Sequence, residues 1–114
     1  MRFKLIAIIV GVFVVLPASA DWGVVGAGNA TCSHWYPADQ HKKKEILSWM
    51  AGFSSAVNLD FASTKQPEYK LEYFSYEFLT NKINNICSSP VNSNESMSGI
   101  LFGILKDFPR ENKK

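Results

Sequence analysis

The sequence has few cysteines, little excess charge and no stretch of alternating polar and apolar residues. Only two cysteines occur in 114 residues, and basic side chains outnumber acidic ones by 12 to 10. Without a period-two pattern the chain is unsuited to a β-sandwich or β-barrel. It also lacks a nucleophile elbow, a phosphate-binding loop and an internal repeat. These absences favour a small helical protein and argue against an enzyme.

Residues 1–20 have the composition of a cleavable export signal. A basic start with Arg2 and Lys4 precedes an apolar run over residues 5–16, and small residues then lead to a predicted cleavage site after Ala20. The apolar run is shorter than the roughly 20 residues that a membrane-spanning helix needs. We therefore expect an exported chain without stable membrane insertion.

The charge of the exported chain differs from that of the whole sequence. Removal of Arg2 and Lys4 leaves 10 basic residues (12 minus 2) against 10 acidic ones, a net charge of zero before histidine is counted. Such a balance gives no broad electric field for nucleic acid or for an anionic membrane. The sequence therefore predicts protein partners and no nucleic-acid partner.

The two cysteines, Cys32 and Cys87, are predicted to form a disulfide, because an exported chain enters an oxidising compartment. A catalytic pair of Cys32 and His34 is less suitable, since residues two apart on a helix do not face each other. His34, Asp39 and His41 are residue types that can bind metal, but their spacing matches no compact zinc-binding motif. We expect no metal, no cofactor and no catalytic residue.

After the export signal the sequence divides into three parts. Glycines in residues 21–31 predict a flexible arm, residues 32–109 a helical domain, and residues 110–114 a polar tail. The Gly-Ala-Gly sequence at 26–28 lacks the strand and helix that accompany a nucleotide-binding loop. The organisation is therefore that of one small domain.

Three main helices are predicted, with a short helical turn after Cys32. Their expected bounds are Asp39 to about Asn58, Pro67 to about Cys87, and a third helix opened by a capping box of Asn92 and Glu95 and ended by Pro109. A loop is expected over residues 59–66. The predicted core residues recur at a helical spacing: Ile46, Trp49, Met50, Phe53 and Val57, then Met97, Leu101 and Ile104. The fold class is thus all-α, a bundle of three to four helices linked by one disulfide.

The middle helix is predicted to carry two opposed apolar faces. Cys87 lies on one, and Leu71, Phe74 and Phe78 lie nearly opposite. Either this helix is covered on both sides, or the face with the phenylalanines contacts a client or a second copy of the chain.

A basic run, His41, Lys42, Lys43 and Lys44, occupies the first turn of the first main helix, where positive charge opposes the helix dipole. It is either a contact for an acidic partner or a solvated face neutralised by Asp39 and Glu45.

Three short segments are distinctive: Thr31-Cys32, residues 49–53 with Ala56 and Asn58, and Ile86-Cys87 followed by Pro90. Together they resemble the small exported HdeA/HdeB-like proteins of Gram-negative bacteria. The resemblance implies a disulfide-linked helical domain in the periplasm. The best-known members are acid-activated chaperones, dimeric at neutral pH, which partly unfold in acid and expose apolar surface to clients. The segment from Cys32 to Gly52 is longer here, with residues 42–44 inserted.

A related resemblance is to periplasmic immunity proteins that neutralise secreted cell-wall amidases. The sequence therefore supports two expectations. The first is a non-enzymatic, chaperone-like stress protein of the periplasm that binds unfolded clients and can form a homodimer. The alternative is an immunity or inhibitor protein that blocks one secreted cell-wall hydrolase.

Overall fold

The computed structural model describes residues 26–112. The predicted export signal and residues 21–25 of the predicted arm lie outside the described residues. Within them are four α-helices and three short 3-10 helices: α1 Cys32–Trp35, α2 Gln40–Ser63, α3 Tyr76–Cys87 and α4 Met97–Lys106, with η1 Gly26–Asn29, η2 Leu71–Tyr73 and η3 Pro90–Asn92. Two short strands, β1 Glu68–Tyr69 and β2 Arg110–Glu111, pair antiparallel. The predicted all-α class is confirmed.

Helix α2 begins where the sequence predicts and ends later than expected. The Asp39 carboxylate accepts a hydrogen bond from the Lys42 backbone N–H at 2.8 Å, which satisfies one of the free donors of the first turn. The helix then runs to Ser63, so the loop predicted over residues 59–66 is wrong for its first five positions. No glycine or proline interrupts residues 59–63, and the helix continues until the chain reverses before Pro67.

The second main helix does not begin at Pro67. Residues 68–69 form a strand, and α3 begins after Ser75, whose hydroxyl accepts the Phe78 N–H at 3.0 Å. The cause is a contact from α2. The buried Asn58 amide donates to the Tyr69 carbonyl at 2.9 Å and accepts the Tyr69 N–H at 2.7 Å. One side chain thus acts as a strand partner and holds Tyr69 extended.

This amide pair gives a stability prediction. Changing Asn58→Asp keeps the shape but replaces the donor by an oxygen that faces the Tyr69 carbonyl, so at neutral pH we expect a loss of about 1–3 kcal/mol of unfolding free energy. Urea unfolding followed by circular dichroism measures it. The matched control is Asn81→Asp, an exposed site on α3. Equal midpoints for the two variants would contradict the assigned role.

The predicted polar tail is partly built into the fold. Arg110 lies in β2, donates from Nε to the Pro67 carbonyl at 2.9 Å, and places its guanidinium 3.9 Å from the ring centroid of Phe61. Lys70 and Glu111 form an ion pair at 3.4 Å. The tail assignment over residues 110–111 is therefore wrong, because Arg110 finds aromatic and carbonyl partners distant in sequence.

The predicted flexible arm is also wrong for residues 26–31. Gly26 has a φ of 85°, in the region that glycine favours, and starts η1. The Ala30 carbonyl then accepts the Met97 N–H at 2.8 Å, and Thr31 forms an isolated bridge with Ser96. These bonds attach the segment to the start of α4.

Helix α4 starts without the predicted capping box. Asn92 lies in η3 and donates its side-chain amide to the Ile86 carbonyl, while Glu95 is exposed. The cap is Ser96, whose hydroxyl accepts the Gly99 N–H at 3.0 Å. Helix α4 ends at Lys106, three residues before Pro109.

The core lies between the four helices. Cys32 and Cys87 form the predicted disulfide and join α1 to α3. The predicted residues Ile46, Met50, Met97 and Leu101 are buried, whereas Trp49, Phe53, Val57 and Ile104 are only partly buried. The remaining buried apolar side chains are Trp35, Leu47, Phe74, Leu79, Ile83, Ile100 and Leu105.

Candidate functional site

The phenylalanines predicted as a partner surface are mostly covered by the fold. Phe74 is only 8% exposed, and its ring packs edge-on against Phe108 at 5.2 Å between centroids. Phe78 packs against Phe108 at 5.7 Å, and Leu71 is partly buried against the core. Leu71 and Phe74 precede α3 rather than lying on it. The prediction of an open docking face here is wrong for Phe74, because the segment after α4 covers it.

Helix α4 is apolar around its whole circumference. It contains one charged residue, Lys106, and one hydroxyl, Ser98. Its inner side is buried at Ile100, Leu101 and neighbouring positions. A helix of this composition is normally enclosed by protein on every side. Here the outer side remains accessible to solvent: Phe102 is 44% exposed and Gly103 is exposed.

The outer side of α4 continues onto α2 through a row of rings. The Trp49 and Phe53 rings stack with centroids 5.4 Å apart, and Phe53 meets Phe102 edge-on at 5.8 Å. Gly52 and Gly103, the sequence neighbours of Phe53 and Phe102, are exposed, and a Cβ atom at either would meet no other atom within 4 Å. We call these five residues the aromatic face. The sequence analysis missed this face. The feature that could have revealed it is the composition of α4, which has no polar side and carries Gly103 on its outer side.

The four side chains of the basic run point in different directions, because they lie at different angles around α2. Lys43 turns inward, with Nζ 5.1 Å from the ring centroid of the buried Trp35. His41 and Lys42 pair with Glu45 at 3.1 and 3.7 Å. Lys44 is exposed. The structure therefore leaves three of the four basic side chains on the surface and assigns Lys43 to the junction with α1.

An apolar groove of about 680 Å³ lies between η1, the turn after α1 and the first turns of α2. Its floor consists of Ala27, Ala30, Ala38 and Ile46, and its rim carries His34, Lys42 and Glu45. Beyond Ala27 and Glu45 the groove opens into a shallower depression bordered by His41, Lys44 and Trp49. The exposed part of the basic run thus borders two adjoining depressions.

The titratable residues near α1 have structural partners. His34 Nδ1 accepts the Thr31 backbone N–H at 3.1 Å, and Cys32 is bonded to Cys87. Over residues 26–112, no group of three or more His, Cys, Asp or Glu side chains is placed to hold a metal ion.

Comparison of the chain with protein-family models, with curated proteins and with solved structures finds no match. Among the helices of residues 26–112, none combines the length and the hydropathy of a membrane span.

Proposed function

We propose that this chain is an exported, non-enzymatic protein-binding domain that acts as a chaperone-like stress protein of the periplasm, similar in type to HdeA. One observation carries the proposal: α4 is apolar on all sides, yet its outer side, with Phe102 and Gly103, faces solvent. Exposed apolar surface of this kind is typical of protein-interaction sites.

The shape of the aromatic face suits unfolded clients. Its rings form a row without a deep pocket, and the bare backbone at Gly52 and Gly103 allows another chain to approach closely. Aromatic side chains bury large apolar areas on contact, whatever the sequence of the partner. Such a surface binds many apolar segments weakly, as a chaperone requires.

Acid is expected to enlarge the accessible apolar surface. In strong acid the 10 acidic side chains lose their negative charge, which leaves the 10 basic side chains of the mature chain unbalanced. The chain then becomes strongly positive, and self-repulsion disfavours the compact state.

Gly103→Glu tests the aromatic face without removing any core contact. The new side chain has open space and replaces a mid-helix glycine, so the fold is expected to be at least as stable as the wild type. A charge on the face should abolish protection of an aggregating client at acidic pH. Light scattering of the client measures protection, and Gly103→Ala is the matched control that keeps the face apolar.

A second control separates the face from general surface charge. Leu59 on α2 is 73% exposed and lies outside the aromatic face, so Leu59→Glu should leave protection unchanged. Full protection by Gly103→Glu would refute the aromatic face as the client site. Apolar-dye binding and tryptophan fluorescence from pH 7 to pH 2 test the chaperone function itself, since a flat titration would remove acid activation.

The alternative, an inhibitor or immunity protein acting on one secreted cell-wall hydrolase, is favoured by a different observation. His41, Lys42 and Lys44 border a preformed apolar groove rather than open solvent alone. An inhibitor should remain folded and bind one target tightly at neutral pH, and rim charges should change its association rate. Capture of a single hydrolase by the oxidised protein at neutral pH would support it.

A further inference from the structure

We propose that the groove between η1 and α2 binds an extended segment of a partner protein that combines apolar side chains with carboxylates. The proposal goes beyond client binding on the aromatic face, because it concerns a separate groove that shares just Trp49 with this face among residues 26–112. It rests on the general conclusion that the domain binds proteins.

The walls of the groove are fixed by bonds to the rest of the domain. On one side the Ala30 carbonyl accepts the Met97 N–H, and Cys32 is held by its disulfide and by a backbone bond to the Glu95 carbonyl at 3.0 Å. On the other side stands α2, which is anchored by its buried face. A groove whose backbone is already ordered needs no further ordering of its walls when a ligand binds, which favours affinity.

The small side chains on the floor of the groove favour an extended peptide segment as the occupant. Three alanines, Ala27, Ala30 and Ala38, leave room that larger side chains would fill, and Ile46 supplies apolar surface at the base. Alternate side chains of an extended peptide point to opposite sides, so every second residue can enter such a channel. Apolar residues at those positions match the floor.

The rim selects the charge of the occupant. Glu45 is the one acidic side chain that borders the groove among the described residues, and His41 and Lys42 already pair with it. Lys44 adds an exposed positive charge to the shallower part. The first turn of α2, a helix of 24 residues, contributes further positive potential from its backbone dipoles. Carboxylates on the outward side of the occupant therefore complement this rim.

Titration of the mature, oxidised protein with a short fluorescein-labelled peptide of alternating leucine and aspartate tests the proposal. We expect saturable binding at neutral pH that weakens with added salt, and clearly weaker binding of a leucine–lysine peptide. Lys44→Glu should weaken binding by about fivefold. The matched control is Lys65→Glu, the same charge change just beyond the end of α2 and roughly 30 Å from Lys44, which should have no effect.

Three results would overturn the proposal. Equal affinity for the two peptides would show that the rim charges do not select. Unchanged affinity in Ala38→Phe, a folded variant with a partly filled floor, would place the peptide elsewhere. Tighter binding by Trp22→Ala, which alters a residue four positions before Gly26, would indicate that the chain's own N-terminal segment is the occupant.

The same titration separates this inference from the proposed chaperone function. Gly103→Glu should abolish client protection while leaving the affinity for the leucine–aspartate peptide unchanged. If Lys44→Glu lost both client protection and peptide binding, clients would have to bind in the groove. That result would contradict the assignment of separate roles to the two surfaces. Sedimentation at several concentrations identifies a second copy of the chain as occupant, and self-association abolished by Lys44→Glu would also overturn the proposal.

Discussion

Replacing Cys32 and Cys87 by serine is expected to remove most of the stability of the domain and to leave it largely unfolded at about 37 °C. The disulfide spans a sequence separation of 55 residues, for which the chain-entropy model gives about 4 kcal/mol. Small domains have total stabilities of about 5–15 kcal/mol, and this one belongs to the low end by size. Far-ultraviolet circular dichroism of the double variant, with urea and thermal melts, measures the effect.

The wild-type protein provides the control for this prediction. Reduction of the native disulfide should lower the melting temperature to a similar extent as the double substitution, because both remove the same link between α1 and α3. Identical melting curves with and without reductant would contradict the prediction.

Trp35→Ala is expected to have the second-largest effect. The side chain is fully buried between α1 and α3, its Nε1 donates to Asn84 Oδ1 at 2.7 Å, and Lys43 lies over its ring. Truncating a buried tryptophan typically costs about 3–5 kcal/mol. At about 4–8 °C for each kcal/mol in a domain of this size, the melting temperature should fall by more than about 10 °C.

Two further variants separate packing from hydrogen bonding at this site. Trp35→Phe keeps a ring but leaves Asn84 Oδ1 without its donor, so we expect a loss of about 1–3 kcal/mol. Adding Asn84→Leu removes the orphaned acceptor and should recover part of that loss, whereas the bond from the Tyr36 hydroxyl to the Asn84 carbonyl is retained. This account would be refuted if the double variant lost more unfolding free energy than the two single variants lose in total.

The parts of the fold that were predictable from the sequence depend on local chemistry. Asp39 caps α2 through a bond within one turn, and the apolar spacing that follows places Ile46 and Met50 in the core. The disulfide followed from the export signal and the count of two cysteines. Each of these features depends on residues close in sequence or on the redox compartment that the signal predicts. Both can be inferred from the sequence alone.

The parts that were wrong depend on contacts between distant residues. Tyr69 is extended because the Asn58 side chain bonds both its N–H and its carbonyl. No local sequence pattern around Pro67 reveals this contact. Phe74 is covered by Phe108, which is 34 positions later (108 minus 74). A ring that looks available within its own segment is thus enclosed by another segment.

The candidate surfaces were only partly predictable for the same reason. The basic run was visible as a charge pattern, but its groove requires η1, which forms because Ala30 and Thr31 bond to the start of α4. The apolar composition of α4 was visible in the sequence, but not which side of the helix stays exposed. Its stack with Trp49 and Phe53 depends on the packing of α4 on α2.

The attachment of η1 to α4 gives this domain contacts between residues that lie far apart in the sequence. The Ala30 carbonyl accepts the Met97 N–H, the Glu95 carbonyl accepts the Cys32 N–H, and Arg110 bonds back to Pro67. Such contacts slow folding, because the entropy of closing a long loop is lost before the contacts form. We therefore expect this helical domain to fold more slowly than a bundle whose helices contact only their neighbours in sequence.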